Sequence, residues 1–236
     1  MTDNFLSSPD PLPKKSATIS TSESLANAPK NHIDFYRQQH KLRLSYMPWL
    51  YASLKPAHRE WAEAWQLEIQ NYLQSVETIH IGKNCFIAPE AKLFAEPGRT
   101  IVIGDNCFIA ADAVIHGPVT LGESVSINHH VTMDGGSKGI YIGNNTRIAA
   151  YCQLYAFNHG LLAEKLISSQ PIQSIGIHIG EDVWLGANVG IVDGIRIADH
   201  AVVGMGSQVT RDVSEYKIVA GNPAKIIGDR REKTDL

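Results

Sequence analysis

The sequence predicts an all-β domain of short strands wound with a six-residue period, preceded by a short α-helical region. Three observations carry that expectation. Aliphatic residues recur at every sixth position from Ile81 onward, a glycine often follows them, and a small or β-branched residue stands four places after them. A period of six drifts against the 3.6-residue turn of a helix, so it cannot mark a helical stripe. It suits short flat strands joined by tight corners, in which one large and one small inward slot per hexad fill a narrow interior.

The elements follow in chain order. Residues 1–30 are rich in Ser, Pro, Lys, Thr and Asn and are expected to be disordered, because they bury too little apolar surface to offset their ordering entropy. Residues 31–77 are expected to form a helical cap region. Asn31 is a candidate N-cap, and Ile33, Tyr36, His40, Leu44 and Met47 keep helical spacing up to Pro48. A second helix is expected from Pro56, since proline suits a first turn, with Trp61, Trp65, Ile69, Tyr72 and Leu73 on one face.

The repeat then runs through Ile81, Ile87 and Leu93, and through Ile103, Ile109, Ile115, Leu121 and Ile127. It resumes at Ile142, Ile148 and Leu154, and again at Ile179, Leu185, Ile191, Ile197, Val203 and Val209. The glycines after the aliphatics are expected to permit corner conformations and to offer backbone N–H groups to an oxyanion. Cys85, Cys107 and Cys152 fall in the small inward slot, which predicts buried structural thiols rather than a nucleophile. Interruptions at 94–102, 133–141 and 160–178 are the informative places, and the last and longest is expected to be a functional loop. The register puts Asn158 in an inward slot, where it needs hydrogen-bond partners. It puts His159 in the outward slot that Trp184 holds in its own hexad, immediately before the loop.

Bulk properties narrow the classes of function. A formal charge of −3 gives no basic surface for nucleic acid. No run of 18 apolar residues suggests a membrane span, and the first residues do not read as a secretory signal. Three cysteines without CxxC spacing argue against a disulfide framework or a zinc ribbon, so a cytoplasmic location is expected.

The segments "IGNNTRIAAYCQLYAFNHG", "IGEDVWLGANVGI", "VVGMGSQVTRDV" and "VAGNPAKII" give the chain a resemblance to hexapeptide-repeat acyltransferases. The likeness is to the sugar, galactoside and maltose types of O-acetyltransferase. It implies a left-handed parallel β-helix over residues 78–225, three hexads to a triangular coil, a tail over 226–236, and a homotrimer. It implies acetyl-CoA as co-substrate, no metal, and direct acetyl transfer to a hydroxyl of a sugar or saccharide-like small molecule. His159 matches the family's catalytic histidine, whose role is general base. By motif position Ala187, Met205, Thr210, Arg211 and Lys225 would line the coenzyme track. The family often has a smaller residue where Met205 stands and an arginine where Gly228 stands. Asn128, His130 and Asp134 resemble its substrate-facing edge, and Trp184 either touches the coenzyme or packs under the loop. N-acylation of an amino sugar, a xenobiotic acceptor and a non-enzymatic scaffold are the alternatives. A β-helical carbonic anhydrase would need two histidines five residues apart, and the residue five after His116 is Leu121.

Overall fold

The computed structural model describes residues 30–232, so the expected disordered segment lies almost wholly outside the described residues. Helix α1 spans Lys30–Tyr46 and α2 spans Pro56–Val76, with a 3₁₀ turn at Pro48–Tyr51 between them. The chain divides within α1 into two compact units, 1–39 and 40–236. In the first, the rings of Phe35 and Tyr36 meet edge to face. The second holds the remainder.

From Ile79 the second unit is a left-handed parallel β-helix. Each coil visits three sheets in turn, so residues one coil apart become ladder partners. Ile81 pairs with Ile103, Ile103 with Leu121, Leu121 with Ile142, Ile142 with Ile179 and Ile179 with Ile197 on the first sheet. The second sheet stacks Phe86–Ile87 through Val202–Val203, and the third stacks Lys92–Phe94 through Gln208–Val209. The stacked aliphatics form one continuous core, where each buried side chain contributes about 1.5–3 kcal/mol. The second interruption is shorter than the register implies. Met133 is buried on the strand Thr132–Asp134, because methionine fills the aliphatic slot as well as isoleucine does.

The small slot is buried as well, and its polar members reach the next coil. Cys85, Cys107 and Cys152 donate to the carbonyls of Gly104, Gly122 and Gly186 at 3.1, 3.0 and 3.1 Å. Thr146 does the same to Gly180 at 2.9 Å. Burial pushes the Cys152 thiol up to about 11, which suits packing and not nucleophilic attack.

The corner glycines serve a different end from the one expected. A Cβ on Gly104 would lie 2.5 Å from the carbonyl oxygen of Gly122, so the glycine is required by the closeness of the next coil. The left-handed backbone falls instead on the third residue after the aliphatic, at Asn84, Asn106, Asp112, Ser124, His130, Asn145, Tyr151, Asp182, Asn188 and His200. Asn and Asp tolerate that region better than other L-residues, which accounts for the polar ladder along the corners.

Helix α2 caps the open edge of the first coil. Gln66, buried on the stripe it shares with Ala62, accepts from Ile87 N at 2.8 Å and donates to Ile87 O at 3.0 Å. Gln70 donates to Cys85 O at 2.9 Å, and Gln74 accepts from Ile81 N at 3.3 Å. Glutamines at i, i+4 and i+8 thus take the place of a preceding strand on an edge that would otherwise invite foreign pairing. Leu44, Tyr51 and Ala62 close over Phe86 of the second sheet. Tyr72, expected on the packed face, is exposed.

At the far end the chain turns back along the second sheet. Strands Lys217–Ala220 and Lys225–Asp229 form an antiparallel hairpin on the second sheet. Buried Asp229 holds Lys217 at 2.9 Å and Arg231 at 2.6 Å. Hydrogen bonds from Arg231, then from Lys217, hold its carboxyl well below the usual carboxylate range. A depressed carboxylate contributes stability that is whole above its unfolded pKa, near 4, and is lost as pH falls through the folded value. Between pH 5 and about pH 3 the wild-type melting temperature should therefore fall more steeply than that of Asp229→Asn. Parallel pH profiles would refute this assignment.

Candidate active site

The coil is left earlier than the hexad count suggests. Ala156 is the last buried position, its N–H donating to Asp134 O at 2.9 Å. Asn158 and His159 then form a two-residue strand antiparallel to Ile172–Gln173, with His159 opposite Ile172. Both are exposed, so Asn158 is not inward and His159 does not share the slot of Trp184. The six-residue count assumes that the coil continues, and here the chain has already turned outward.

The excursion is tied down at its base and in its head. Ser174 Oγ donates to Ala156 O at 2.6 Å and accepts from Ser137 N and Lys138 N at 3.1 Å each. Asp193, buried at the next corner, accepts from Ile175 N at 2.9 Å and Gly176 N at 2.8 Å. Gln170, also buried, bonds Leu162 N and the carbonyls of Leu162 and Lys165. His159 is therefore carried on a short, pinned hairpin.

Beside that hairpin lies a cleft of about 280 Å³ lined by Arg99, His116, Asp134, Gly136, Ser137, Phe157 and Ile172. Phe157 also meets the His159 ring, centroid to centroid at 6.2 Å. On the floor, Arg99 Nη2 donates to Asp134 Oδ1 at 3.0 Å, and Gly136 N donates to the same oxygen at 2.9 Å. His116 bridges two carboxylates, with Nδ1 at 3.2 Å from Asp134 and Nε2 at 3.1 Å from Glu96. Glu96 is held below its ordinary range by its own backbone N–H and by His116. Sequence reasoning named Asp134 but missed Glu96, Arg99 and the role of His116. They lie on successive coils around the first interruption, and only the stacking brings them together. A larger cavity, about 770 Å³, lies elsewhere, between α2 and the first coil, lined by Trp65, Ile69, Tyr72 and Phe94.

The expected site residues sort onto two ridges at opposite edges of the third sheet. The corner between the second and third sheets carries Asn128 and His130 on one coil, then Ala187 and Met205 two and three coils on. The corner between the third and first sheets carries Asp134 and the stem of His159, and later Thr210 and Arg211. Lys225 pairs with Ala220 on the terminal hairpin, close to the first ridge through Ala224 N donating to Gln208 O. His130 precedes the strand Thr132–Asp134 and Asp134 ends it, so the two ridges flank that strand. Asn128 donates its amide to Ile148 O at 3.2 Å, and Met205 is exposed. Trp184 is exposed on the second sheet between Arg147 and Val202. The N–H groups of Gly186 and Gly204 already donate to Val203 O and Val219 O at 2.8 Å, so these corner glycines have no donor left for an oxyanion. Among the described residues no group of three His, Cys, Asp or Glu is placed to hold a metal ion, and no helix is long and apolar enough to cross a membrane.

Comparison with known proteins meets this geometry. Residues 100–135 match the six-repeat bacterial transferase hexapeptide, and residues 176–211 match the hexapeptide repeat of succinyl-transferase. The chain thus carries the hexapeptide repeats of bacterial transferases. It is 32% identical over 115 residues to the putative acetyltransferase YJL218W of Saccharomyces cerevisiae, covering 49% of this chain and 58% of the relative. It is 32% identical over 128 residues to the putative lipopolysaccharide biosynthesis O-acetyl transferase WbbJ of Escherichia coli, covering 51% of this chain and 65% of the relative. The chain thus spans about six-tenths of the length of these two relatives. In fold it is similar to AntD, an N-acyltransferase from Bacillus cereus, with a TM-score of 0.61 at 24% identity, over 68% of this chain and 89% of AntD.

Proposed function

We propose that the protein is an acetyl-CoA-dependent O-acetyltransferase acting on a hydroxyl of a sugar or saccharide-like acceptor, with His159 as general base. The observation that carries this reading is the pinned His159 hairpin beside a cleft floored by Arg99, His116 and Asp134. The imidazole takes the acceptor's hydroxyl proton as the oxygen attacks the thioester carbon. The carbon–oxygen bond forms, the carbon–sulfur bond breaks, and the proton passes to the departing coenzyme A thiolate. A rigid mount matters because misplacing the base by an ångström costs rate out of proportion. The printed role of the WbbJ relative, a putative lipopolysaccharide biosynthesis O-acetyl transferase, supports a saccharide acceptor.

The two ridges give the reading an oligomeric corollary. One chain keeps Asn128, His130, Ala187 and Met205 on one edge of the third sheet and His159, Thr210 and Arg211 on the other. A threefold assembly that sets the first ridge of one copy against the second ridge of the next completes a site at each of three interfaces. Lys225 then serves the coenzyme's phosphates as a point charge. The three free cysteines agree with a reducing compartment such as the cytoplasm. The test is thiol release from acetyl-CoA with a panel of sugars, alongside sedimentation of the full chain. Acceptor-dependent release by a trimer is expected. Failure of acetyl-CoA to bind at all would overturn the reading in favour of a structural β-helix.

A further inference from the structure

The buried polar atoms that lack a hydrogen-bond partner are not scattered. Among the described residues they are Ser45 Oγ, Glu90 Oε2, Arg99 Nε, His129 Nδ1 and His130 Nδ1. All but Arg99 Nε gather where the end of α1 meets the corner between the second and third sheets on the first coils. Ser45 is fully buried, and its carbonyl accepts from Ala111 N at 2.7 Å. Next to it, Tyr46 donates its hydroxyl to Asp112 at 2.8 Å. Asp112 lies 3.6 Å from His130, and the His130 and Tyr151 rings meet at 4.8 Å. His129 packs between Tyr46 at 5.9 Å and Tyr151 at 5.4 Å. Glu90, Asp112, His130 and Tyr151 hold the same corner position on four successive coils.

Of these atoms Glu90 Oε2 is an acceptor, while the Ser45 hydroxyl and the imidazole nitrogens can donate or accept. An ionised Glu90 can only accept, and neither Glu90 nor Asp112 has a lysine or arginine within 4 Å among the described residues. Burial, and then the neighbouring His130, push the His129 imidazole toward its neutral form, which carries one bare nitrogen. The corner therefore has two carboxylates without a basic side chain, an unpaired Glu90 oxygen and the rings of Tyr46 and Tyr151 beside them. An ammonium group supplies three donors, no acceptor and a positive charge that aromatic faces attract. Left unpaired, buried acceptors of this kind are costly.

We propose that this corner binds a primary ammonium group, so that the acceptor is an amino-bearing saccharide anchored by its amine while a hydroxyl reacts. The second clause rests on the acetyl-transfer reading, and the ammonium site itself does not. A protonated amine has no lone pair for attack, so it anchors without competing with the hydroxyl. The same charge disfavours acceptors whose anchoring end is anionic.

The experiment is calorimetric titration of the full chain with D-glucosamine, D-glucose and N-acetyl-D-glucosamine at a pH that keeps the free amine protonated. Glucosamine is expected to bind at least tenfold more tightly than the two uncharged sugars. Glu90→Gln and Asp112→Asn should each weaken it about five- to tenfold and leave acetyl-CoA binding unchanged. Asp112→Asn also alters the Tyr46 hydrogen bond, so Glu90→Gln, at a side chain with no recorded hydrogen bond, carries the test if the former unfolds. Equal affinity for all three sugars, or full glucosamine affinity in Glu90→Gln, would overturn the proposal. Glucosamine binding without thiol release would sink the transfer reading and leave the ammonium site standing. Release with glucose and no glucosamine binding would do the reverse.

Discussion

Replacing His159 with alanine is expected to lower acetyl transfer by roughly 10²–10⁴-fold, the usual contribution of a positioned general base. The loss should appear equally in kcat and in kcat/KM for the acceptor, because proton removal is an interaction made only in the transition state. Acetyl-CoA affinity should hardly move. The proposed coenzyme contacts, Ala187, Met205, Thr210, Arg211 and Lys225, all lie on later coils than the one from which His159 departs. The fold should be untouched, since His159 is exposed and contributes nothing to the core. His159→Gln is the sharper comparison, because it keeps a polar side chain but no basic nitrogen. Single-turnover thiol release by wild type and both variants decides the matter. Full turnover in His159→Ala with a good acceptor would end the general-base assignment.

The β-helix was legible because its physics is periodic. An aliphatic at every sixth position has one geometric solution that buries all of them, and Ile81, Ile103, Leu121, Ile142, Ile179 and Ile197 do stack as one ladder. Periodicity failed where it was extended one step too far. Asn158 keeps the count but not the coil, because Ser174 and Asp193 fix a chain that has already left. The function of the corner glycines was misread for a related reason. Sequence exposes backbone freedom but not the next coil, whose carbonyl occupies the space of the missing Cβ. The cleft floor was invisible for a third reason. Glu96, Arg99, His116 and Asp134 follow no motif, and they meet only because three coils stack. A partial signal was available in the corner ladder, where Asn84, Asn106, Asn145 and Asn188 mark the left-handed position. Reading that ladder would have shown Asp112, His130 and Tyr151 to be stacked neighbours.

The second large effect concerns the helical cap. Gln66→Leu keeps the side chain's bulk but removes both partners of Ile87, whose N–H and C=O are then buried with nothing to bond. Each orphaned group costs about 1–3 kcal/mol, so the variant should lose roughly 2–5 kcal/mol. For a chain of this size that is about 5–15 °C in melting temperature. Gln70→Leu should cost less, because Gln70 is only half-buried and, besides a 3.2 Å bond to Gln66 Oε1, serves only one backbone group, Cys85 O. Gln74→Leu should cost least, since its 3.3 Å bond to Ile81 N lies at the exposed end of the ladder. Without its cap the first coil offers free strand-edge groups, so Gln66→Leu should also aggregate more readily than the other two. Because a solenoid's coils contact only their neighbours, the damage should stay local. Hydrogen exchange should accelerate first at Phe86 and Ile87 and last around Ile148 and Leu154, where the coil that carries His159 is built. Uniform loss of protection along the whole β-helix would mean that the cap nucleates the entire domain, and the local account would be wrong.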